Sequence, residues 1–407
     1  MRLHNPSRLE IPPESFVSVT AIACAIVSLA CFVVPMYIIQ PYRAQGPHEF
    51  PIAIAIRDSG PVLSALCVLF IVAVMFRLWR RVDRRSRFGL TACLIVAVTG
   101  AALTRLNVFE MMFHPDLSPE FGPAASANID SDDMVVSFTW NGETHAWPVR
   151  AIGYHHIVND VVGGVPVVAT YCTLCHTGIV WSRQVDGRVL TFRLTGIRNG
   201  NALLRDDETN SIWQQTTGEA IYGTLKGKRL QMMHSDELTF ALWKKEQPRG
   251  VVLKPDAKSA SLYEPKDWET KILDNPVVVD TSKTGIAPRE LMLGIATGSG
   301  SKAFPMKSVL SAGLIQDRVG TDPVLLIVGP DNLSVRAFRV QPNATYIRAN
   351  PPADALMTDT ETSSAWNFSG CAVSGPLQGQ CLTPLNAVKD YWFDWMNYHP
   401  QTAVFGK

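Results

Sequence analysis

The chain has 407 residues, a net charge of +1 and 18% charged residues, and its length accommodates two ordinary domains or one duplicated domain. The near-zero net charge excludes a protein that binds nucleic acid or another polyanion through its overall charge. The charged fraction lies below the usual quarter, and the deficit is concentrated in the N-terminal quarter of the chain.

Three apolar segments in that quarter predict transmembrane helices over residues 16–39, 60–76 and 88–104. The first is uncharged and long enough to cross a bilayer, and the other two lie at the lower limit of about 17 residues. A helical hairpin buried in protein is the alternative for the last two, and a signal peptide for the first, which is longer than a typical signal-peptide core. We therefore predict a membrane region over 1–107, followed by a linker over 108–131.

The orientation of these helices follows from the loop between the second and third segments. That loop is rich in arginine, at Arg77, Arg80, Arg81, Arg84, Arg85 and Arg87. The positive-inside rule makes the loop cytoplasmic, and the N-terminus with it. We therefore expect a multi-pass protein of the bacterial inner (cytoplasmic) membrane whose C-terminal region is periplasmic or otherwise extracytoplasmic, where disulfides can form.

The C-terminal region repeats itself. Residues 146–152 (Ala-Trp-Pro-Val-Arg-Ala-Ile) resemble residues 303–309 (Ala-Phe-Pro-Met-Lys-Ser-Val) at a distance of 157 positions. Residues 208–213 resemble residues 361–366 at a distance of 153. A further set recurs at a distance of 152, pairing Gly218, Gly223, Leu225, Gly227, Leu230, Trp243 and Pro248 with Gly370, Gly375, Leu377, Gly379, Leu382, Trp395 and Pro400. A spacing that stays constant within each of these stretches is typical of internal duplication.

We predict a first repeat unit over 132–255, a connection over 256–288 and a second unit over 289–407. Residue patterns in the first unit favour strands over Met134–Trp140, Val165–Tyr171, Gly178–Arg183 and Arg188–Leu194, with turns at Asn141-Gly142 and Asp186-Gly187. Short helices are predicted over Val149–Asn159 and Asp236–Glu246, the latter capped by Ser235 or Asp236. The predicted fold class is an N-terminal α-helical transmembrane segment plus a β-rich α+β extracytoplasmic domain built from two duplicated units.

The repeat spacing also separates structural from chemical residues. At equivalent positions of the two units, reactive residues of the first correspond to unreactive or different residues of the second. The corresponding residues are His155 and Ala312, His156 and Gly313, Cys172 and Gly329, Cys175 and Asn332, His176 and Leu333, and Glu219 and Cys371. Residues that only one unit carries are candidates for function. The first unit is therefore the one in which chemistry is expected.

The candidate centre is the sequence Cys172-Thr-Leu-Cys175-His176. Two thiolates and an imidazole suit copper or zinc, with His155, His156 and Glu219 as further ligands. A redox-active Cys pair, a structural disulfide and covalent haem attachment are the alternatives. The haem interpretation is disfavoured because the motif lies between two predicted strands. Separately, Cys371 and Cys381 flank a predicted turn, and we expect a cross-strand disulfide between them.

Several stretches together resemble the domain of unknown function 3179 family. They are His155-His-Ile-Val-Asn-Asp160, Thr170-Tyr-Cys-Thr-Leu-Cys-His-Thr-Gly178, residues 208–223, and the segment from Trp366-Asn-Phe-Ser-Gly370 to His399-Pro400. The resemblance covers nearly all of residues 130–407. His155, Cys172 and Cys175 match the family pattern, whereas His156 and His176 depart from it. The resemblance implies no reaction, and it further disfavours haem because the axial ligand would be His176.

The leading hypothesis is a membrane-anchored protein that binds a metal or performs thiol redox chemistry at Cys172, Cys175 and His155. One rival is a ligand- or partner-binding module in which the two cysteines form a structural disulfide. Another is an enzyme that uses His155 as a base. The membrane is the expected partner, nucleic acid is not expected, and a small-molecule or protein partner stays open.

Overall fold

The computed structural model describes residues 14–46, 48–348 and 355–407, and the chain divides into two compact units at Val108 and Phe109. The first unit contains three long helices, α1 Glu14–Ile38, α2 Glu49–Leu78 and α3 Arg84–Leu103. Each is long and apolar enough to cross a membrane, with mean hydropathies of 2.4, 2.4 and 1.6. The predicted helices are present, and α2 is longer than predicted.

Helix α2 begins at Glu49 rather than near residue 60. The prediction excluded Arg57 and Asp58 because they are charged. Charge does not interrupt the backbone hydrogen bonds of a helix, and these two side chains form an ion pair with an N–O distance of 3.7 Å. Hydropathy therefore locates the apolar stretch but not the start of the helix.

Helices α1 and α3 approach each other closely at Gly100. A Cβ atom at this position would lie 2.6 Å from the carbonyl carbon of Ser28. The Ser28 hydroxyl in turn donates to the Ala97 carbonyl across the contact, at 2.7 Å. A small residue and an interhelical hydrogen bond are the usual means of packing helices in a bilayer.

The second compact unit is rich in strands, and its first half contains residues 132–255. In chain order the elements up to the end of this half are α4 Val108–Phe113, β1 Phe121–Pro123, β2 Met134–Trp140, β3 Glu143–Pro148, α5 Val149–His155, β4 Ile157–Val162, β5 Val165–Cys172, β6 Thr177–Ser182, β7 Gln184–Val185, β8 Arg188–Val189, β9 Phe192–Arg198, β10 Asn201–Asp206, β11 Ile212–Gln214, β12 Ala220–Tyr222, β13 Asp236–Thr239, α6 Phe240–Glu246 and β14 Val251–Leu253.

A connecting segment with the short helix α7 Trp268–Lys271 leads to the second half, residues 289–407. The elements of the second half are β15 Leu291–Thr297, β16 Gly300–Pro305, α8 Met306–Ala312, β17 Leu314–Val319, β18 Asp322–Val328, β19 Val335–Arg339, β20 Tyr346–Ile347, β21 Met357–Asp359, β22 Ala365–Trp366, β23 Ala372–Ser374, β24 Thr383–Leu385, β25 Val388–Tyr391, α9 Trp392–Tyr398 and β26 Ala403–Val404.

The halves have corresponding sheets. In the first half the strand orders are β1-β14-β3-β2-β13, β4-β5-β6 and β12-β11-β10-β9. In the second half they are β25-β15-β16-β26, β17-β18-β19-β24 and β20-β21-β22-β23. Strands β2, β3 and β4 and helix α5 have the same bounds as β15, β16, β17 and α8 after a shift of 157 positions. The order of elements in the first half thus recurs in the second.

Hydrogen bonds recur with the elements. The Asp206 carboxylate accepts from the Thr209 hydroxyl and, at 2.8 Å, from the Trp213 indole N–H. The Asp359 carboxylate accepts from the Thr362 hydroxyl and from the Trp366 indole N–H, also at 2.8 Å. All of these lie in tight turns that join two strands, so the paired residues of the sequence repeat do the same structural work in both halves.

Two predicted helices are wrong in part. Helix α5 ends at His155 instead of Asn159, because His156 adopts a left-handed conformation with φ of 60° and the apolar residues that follow form β4. The predicted helix over 236–246 begins only at Phe240, since Asp236–Thr239 is strand β13. The cap is Thr239, whose hydroxyl accepts from the Leu242 N–H at 3.3 Å.

The last strand and helix of each half contact the other half. Leu242 and Trp243 of α6 pack in one apolar cluster with Leu325 and Phe338 of the second half. Reciprocally, the backbone N–H of Tyr391, at the start of α9, donates to the Cys175 carbonyl of the first half at 2.8 Å. These are two equivalent contacts between the halves, and one of them contains the Cys172–Cys175 motif.

Candidate functional site

The cysteine motif forms the turn between β5 and β6, where Cys172 pairs with Thr177. The Cys175 N–H donates to the Cys172 carbonyl at 3.2 Å, and His176 takes a left-handed conformation with φ of 61°. This tight turn brings the two sulfur atoms to 3.0 Å from each other. Both cysteines are buried, at 1% and 0% exposure. The Cys175 sulfur also lies 3.1 Å from the Gly200 carbonyl oxygen.

Two aspartates of the second half complete the site. Asp390 lies in β25 and Asp394 lies in the first turn of α9, and both are fully buried. The Thr177 hydroxyl donates to Asp390 at 2.8 Å, next to the cysteine turn. The Asn201 amide joins Asp394 to the Cys175 thiol. Strand β25 and helix α9 thus supply the acids, and the first half supplies the thiols.

A carboxamide network fixes the acids and thiols in place. The Asn201 amide donates to Asp394 at 3.0 Å and to Gln215 at 3.1 Å, and lies 3.4 Å from the Cys175 sulfur. The Gln215 amide donates in turn to the Thr170 hydroxyl at 3.0 Å. Asn201 and Gln215 are 0% and 1% exposed. Buried networks of this kind hold one geometry when each member has its partners.

Burial controls protonation in the site. Burial raises the pKa of Asp394 to about 7, although hydrogen bonds from Cys175 and Asn201 oppose the rise. Burial, together with the charge of Asp394, also holds the pKa of Asp390 well above its usual range. The pKa of the Cys175 thiol is raised well above its ordinary value, first by burial and then by the hydrogen bond to Cys172. The site therefore favours neutral, protonated groups.

His155 has a different environment from the one that the sequence suggests. Its Nδ1 lies 2.7 Å from the His114 carbonyl oxygen, and its Nε2 lies 3.0 Å from the Tyr263 hydroxyl. The same hydroxyl accepts from the Asp256 N–H at 2.9 Å. Both ring nitrogens thus hold neighbouring chain segments together.

His156 and His176 are likewise engaged elsewhere. The His156 ring packs against Phe113, with centroids 4.4 Å apart, and burial lowers its pKa to about 4. His176 has Nδ1 at 3.1 Å from the Tyr171 hydroxyl and Nε2 at 2.7 Å from Glu269. Both ring nitrogens of His176 therefore have hydrogen-bond partners, whereas an axial haem ligand uses one of its ring nitrogens to bind the iron.

Glu219 occupies the position in the first half that corresponds to Cys371 of the predicted disulfide. Its carboxylate accepts from Arg229 at 2.8 Å, and the two residues form an isolated β-bridge. After a shift of 152 positions these residues correspond to Cys371 and Cys381, which form the same β-bridge with their sulfur atoms at 2.00 Å, within disulfide distance. Glu219 is thus half of a cross-strand ion pair, and the expected Cys371–Cys381 disulfide has the geometry it requires.

The predicted six-residue metal set is therefore not assembled. Of its members Cys172 and Cys175 meet. The ring nitrogens of His155 and His176 and the carboxylate of Glu219 have the partners described above, and His156 Nδ1 lies 3.2 Å from the Tyr154 carbonyl oxygen. Among the described residues, three potential ligand atoms lie within 4.8 Å of one another only at Asp130, Asp132 and Asp133. Lys266 pairs with the first two of these acids and Arg150 with the third.

The equivalent contact between the halves carries no thiol pair. Gly329 and Asn332 stand where the cysteines are, and Leu238 and Leu242 stand where Asp390 and Asp394 are. A Cβ atom at Gly329 would lie 3.0 Å from the Asp331 carboxylate and 3.2 Å from the Leu242 side chain, so a helix-to-turn contact exists here too. We call this contact the silent site and the one at Cys172 the cysteine site.

Sequence reasoning missed Asp390 and Asp394, although the repeat carries a signal for them. Reactive residues that the first unit carries and the second lacks do not include these two aspartates, which belong to the second unit. The same 152-position spacing, applied in reverse, pairs Asp390 with Leu238 and Asp394 with Leu242. An acid that replaces a buried leucine is an uncommon exchange and marks both positions.

Comparison with known proteins yields one match. The family model described as "Protein of unknown function (DUF3179)" matches residues 115–402, which include all of both halves' strands from β2 to β25. No curated protein and no solved structure matches the chain. Because the matched residues form well over half of its length, the chain belongs to the DUF3179 family.

Proposed function

We propose that this protein is a membrane-anchored thiol–disulfide redox protein, with Cys172 and Cys175 as the reactive pair and Asp394 as the proton acceptor. The observation that carries the proposal is the pair of sulfur atoms at 3.0 Å, beside the buried Asn201 amide that lies 3.4 Å from the Cys175 sulfur and donates to Asp394 at 3.0 Å. A disulfide has a sulfur–sulfur distance of about 2.05 Å, so its formation needs a shift of only about 1 Å.

Asp394 can act as the base that the cysteine pair requires. Only a thiolate attacks a disulfide or another oxidant, and burial keeps the Cys175 thiol protonated. A neighbouring base is therefore required. The pKa of Asp394, raised to about 7, suits a group that takes a proton and gives it up near neutral pH. Burial of both sulfur atoms restricts the reaction to small partners.

We further propose that the two halves arose by internal duplication, with unit bounds near 132–255 and 289–407. The matching element bounds, the repeated Asp–Thr–Trp turns and the constant sequence spacing support this. In the proposed history one contact between the units gained thiols and acids, and the other contact kept an apolar form.

The proposed location is extracytoplasmic. The arginine-rich segment between α2 and α3, over 77–87, favours a cytoplasmic loop, and α3 would then lead outward. A multi-pass protein of a bacterial inner membrane with a cytoplasmic N-terminus and a periplasmic β-rich region fits these features. The Cys371–Cys381 pair at disulfide distance is in keeping with an oxidising compartment.

A second candidate function is the binding of copper or zinc at the same site. It is favoured by the Oδ2 atom of Asp390, which is buried without a hydrogen-bond partner among the described residues. With Cys172, Cys175 and Asp394 it gives a set of two sulfur and two carboxylate ligands, which zinc accepts.

One experiment separates these functions. The full-length protein is purified in detergent without chelators, and its copper and zinc contents are measured together with the alkylation state of each cysteine. The redox function predicts less than a tenth of a metal per chain and a Cys172–Cys175 pair that a reductant opens and an oxidant closes. About one metal per chain, lost in Cys172→Ser, would instead establish the metal site. A pair that resists reduction would mark a structural disulfide.

A further inference from the structure

Part of the connection between the halves lies against the cysteine turn. We call residues 264–275, which include α7, the cover segment. The segment is tied to the first half at its start, where the Glu264 N–H donates to the Arg150 carbonyl at 3.1 Å and the Arg150 guanidinium donates to the Glu264 carbonyl at 2.7 Å. This pair of hydrogen bonds fixes the point at which the chain enters the segment.

The cover segment is joined to the residues on either side of the second cysteine. The Nε2 atom of His176 lies 2.7 Å from the Glu269 carboxylate, and the His176 ring lies against Trp268 with ring centroids 5.1 Å apart. On the other side, the Arg289 guanidinium donates to the Leu174 carbonyl at 2.7 Å and to the last carbonyl of the cover segment at 3.3 Å. The cysteine turn is thus connected to the segment through both neighbours of its second cysteine.

The equivalent turn of the silent site is exposed at positions that are buried in the cysteine turn. His176 is 2% exposed, whereas its equivalent Leu333 is 44% exposed. Cys175 is fully buried, whereas its equivalent Asn332 is exposed. Both turns contact a strand and helix of the other half, so that contact alone does not bury these two positions. The contacts of the cover segment at His176 account for the difference.

The cover segment is held by few contacts of its own. Within residues 264–275, all of which the structure describes, Trp268 is the one buried side chain. The Glu269 side chain that meets His176 is 56% exposed on its other side. Segments with few buried apolar contacts open at a low free-energy cost while the rest of the domain stays folded. The segment therefore has the properties of a part that moves independently of the sheets.

We propose that the cover segment is a lid over the cysteine turn, and that Cys172 and Cys175 react when this lid opens. Trp268 is the anchor of the lid, and the contact between Glu269 and His176 is its latch. The closed lid shields the thiols from solvent, and the open lid gives small reactants access to the turn. The inference rests on the redox function proposed above, which makes these two cysteines the reactive pair.

The test measures how fast iodoacetamide labels the two cysteines of the reduced full-length protein in detergent, peptide by peptide, by mass spectrometry. Glu269→Ala removes the latch and should raise the labelling rate of Cys172 and Cys175 at least fivefold. Asp267→Ala is the matched control, because it removes an exposed ion pair with Lys271 on the same short helix and leaves the latch intact. Its labelling rate should stay within twofold of the wild type.

A second variant and a second variable separate lid opening from unfolding of the whole domain. Trp268→Ala removes the anchor and should raise the labelling rate at least tenfold. Local opening exposes little surface, so labelling should change little with urea below the unfolding transition, whereas labelling through global unfolding rises steeply. Labelling of Glu269→Ala at the wild-type rate, or a urea dependence equal to that of global unfolding in every variant, would overturn the lid.

Oxidation of the same variants by diamide distinguishes the lid from the redox function. The two proposals together predict that Glu269→Ala forms the Cys172–Cys175 disulfide faster than the wild type does. Faster labelling in the variant, with no disulfide formed in any protein, would refute the redox function and leave the lid supported. Reversible disulfide formation at equal rates in variant and wild type, together with equal labelling, would refute the lid and leave the redox function supported.

Discussion

The cysteine site and the silent site have the same backbone frame and opposite chemistry. At both, a strand and helix from one half meet the turn between two strands of the other half. At the cysteine site the Thr177 hydroxyl donates to Asp390, whereas at the silent site the equivalent Ser334 hydroxyl accepts from the Thr239 N–H at 3.0 Å. The silent site thus makes its contact without thiols and with leucines in place of Asp390 and Asp394.

The two sites also differ in their contribution to the stability of the folded protein. Leucines at the silent site contribute apolar burial, whereas two buried aspartates and two buried thiols lose hydration without an ion pair among the described residues. These buried groups therefore lower the free energy of unfolding of the protein. That balance is typical of functional sites, and it suggests experiments in which one site is converted toward the other.

The largest effect is expected from Asp394→Leu, which gives the cysteine site the residue of the silent one. Loss of the proton acceptor should slow oxidation of Cys172–Cys175 by diamide about 100-fold at pH 7, since general bases contribute about 10²–10⁴-fold. Alkylation followed by mass spectrometry reports the rate. Asn332→Ser, at the silent equivalent of Cys175, is the matched control and should leave the rate unchanged. An unaltered rate in Asp394→Leu would remove the acid from the mechanism.

The pH dependence of stability should follow from the same acid. The pKa of Asp394 is about 7 in the folded protein and about 3.9 in the unfolded chain, so the folded state binds more protons between these values. Stability from this group is complete below about pH 4 and declines as the pH rises through 7, by at most about 4 kcal/mol.

Thermal unfolding of the reduced protein at pH 5 and pH 8 measures this decline. Asp394→Asn, which keeps the shape and has no proton to release, should lose less stability than the wild type over that interval. Asp390 adds to the pH dependence in both proteins, because burial raises its pKa as well, but its share is smaller in the variant, which lacks the Asp394 charge that adds to that rise. A decline of the same size in the variant would show that Asp394 does not titrate there.

A smaller effect tests the equivalence of the two cross-strand bridges. Glu219→Cys/Arg229→Cys should form a disulfide on exposure to air, because these positions make the same β-bridge as Cys371 and Cys381. A ring of this size stabilises by about 2–3 kcal/mol, which replaces an exposed ion pair of at most about 1 kcal/mol. Non-reducing mass spectrometry detects the bond, and unfolding with and without reductant gives the energy. Persistent free thiols would break the proposed correspondence.

The smallest expected difference is between Trp213→Phe and Trp366→Phe. Each variant removes one indole donor from a buried aspartate and should cost about 1.5–3 kcal/mol, the range for hydrogen bonds to charged groups. Because the two turns have the same hydrogen bonds, the two costs should agree within about 1 kcal/mol. Denaturant unfolding monitored by circular dichroism measures both. Unequal costs would show that the halves no longer use the turn in the same way.

Sequence patterns predict the frame better than the site. Apolar length predicts the three long helices, and the Asp206 and Asp359 turns recur because sequence spacing and hydrogen bonding are both local. Helix α5 is predicted too long because the left-handed φ of His156 depends on the strand that follows it. The cysteine turn is evident from its motif, but Asp394 lies 219 positions after Cys175, and only the contact between the two halves brings them near each other.

The most direct test of the redox assignment is an equilibrium titration of the full-length protein in glutathione buffers, with each cysteine pair followed by alkylation and mass spectrometry. The account predicts one reversible two-electron transition of Cys172–Cys175 between about −300 and −180 mV, while Cys371–Cys381 stays oxidised as an internal reference. A Cys172–Cys175 pair that remains wholly oxidised or wholly reduced over this range would contradict it.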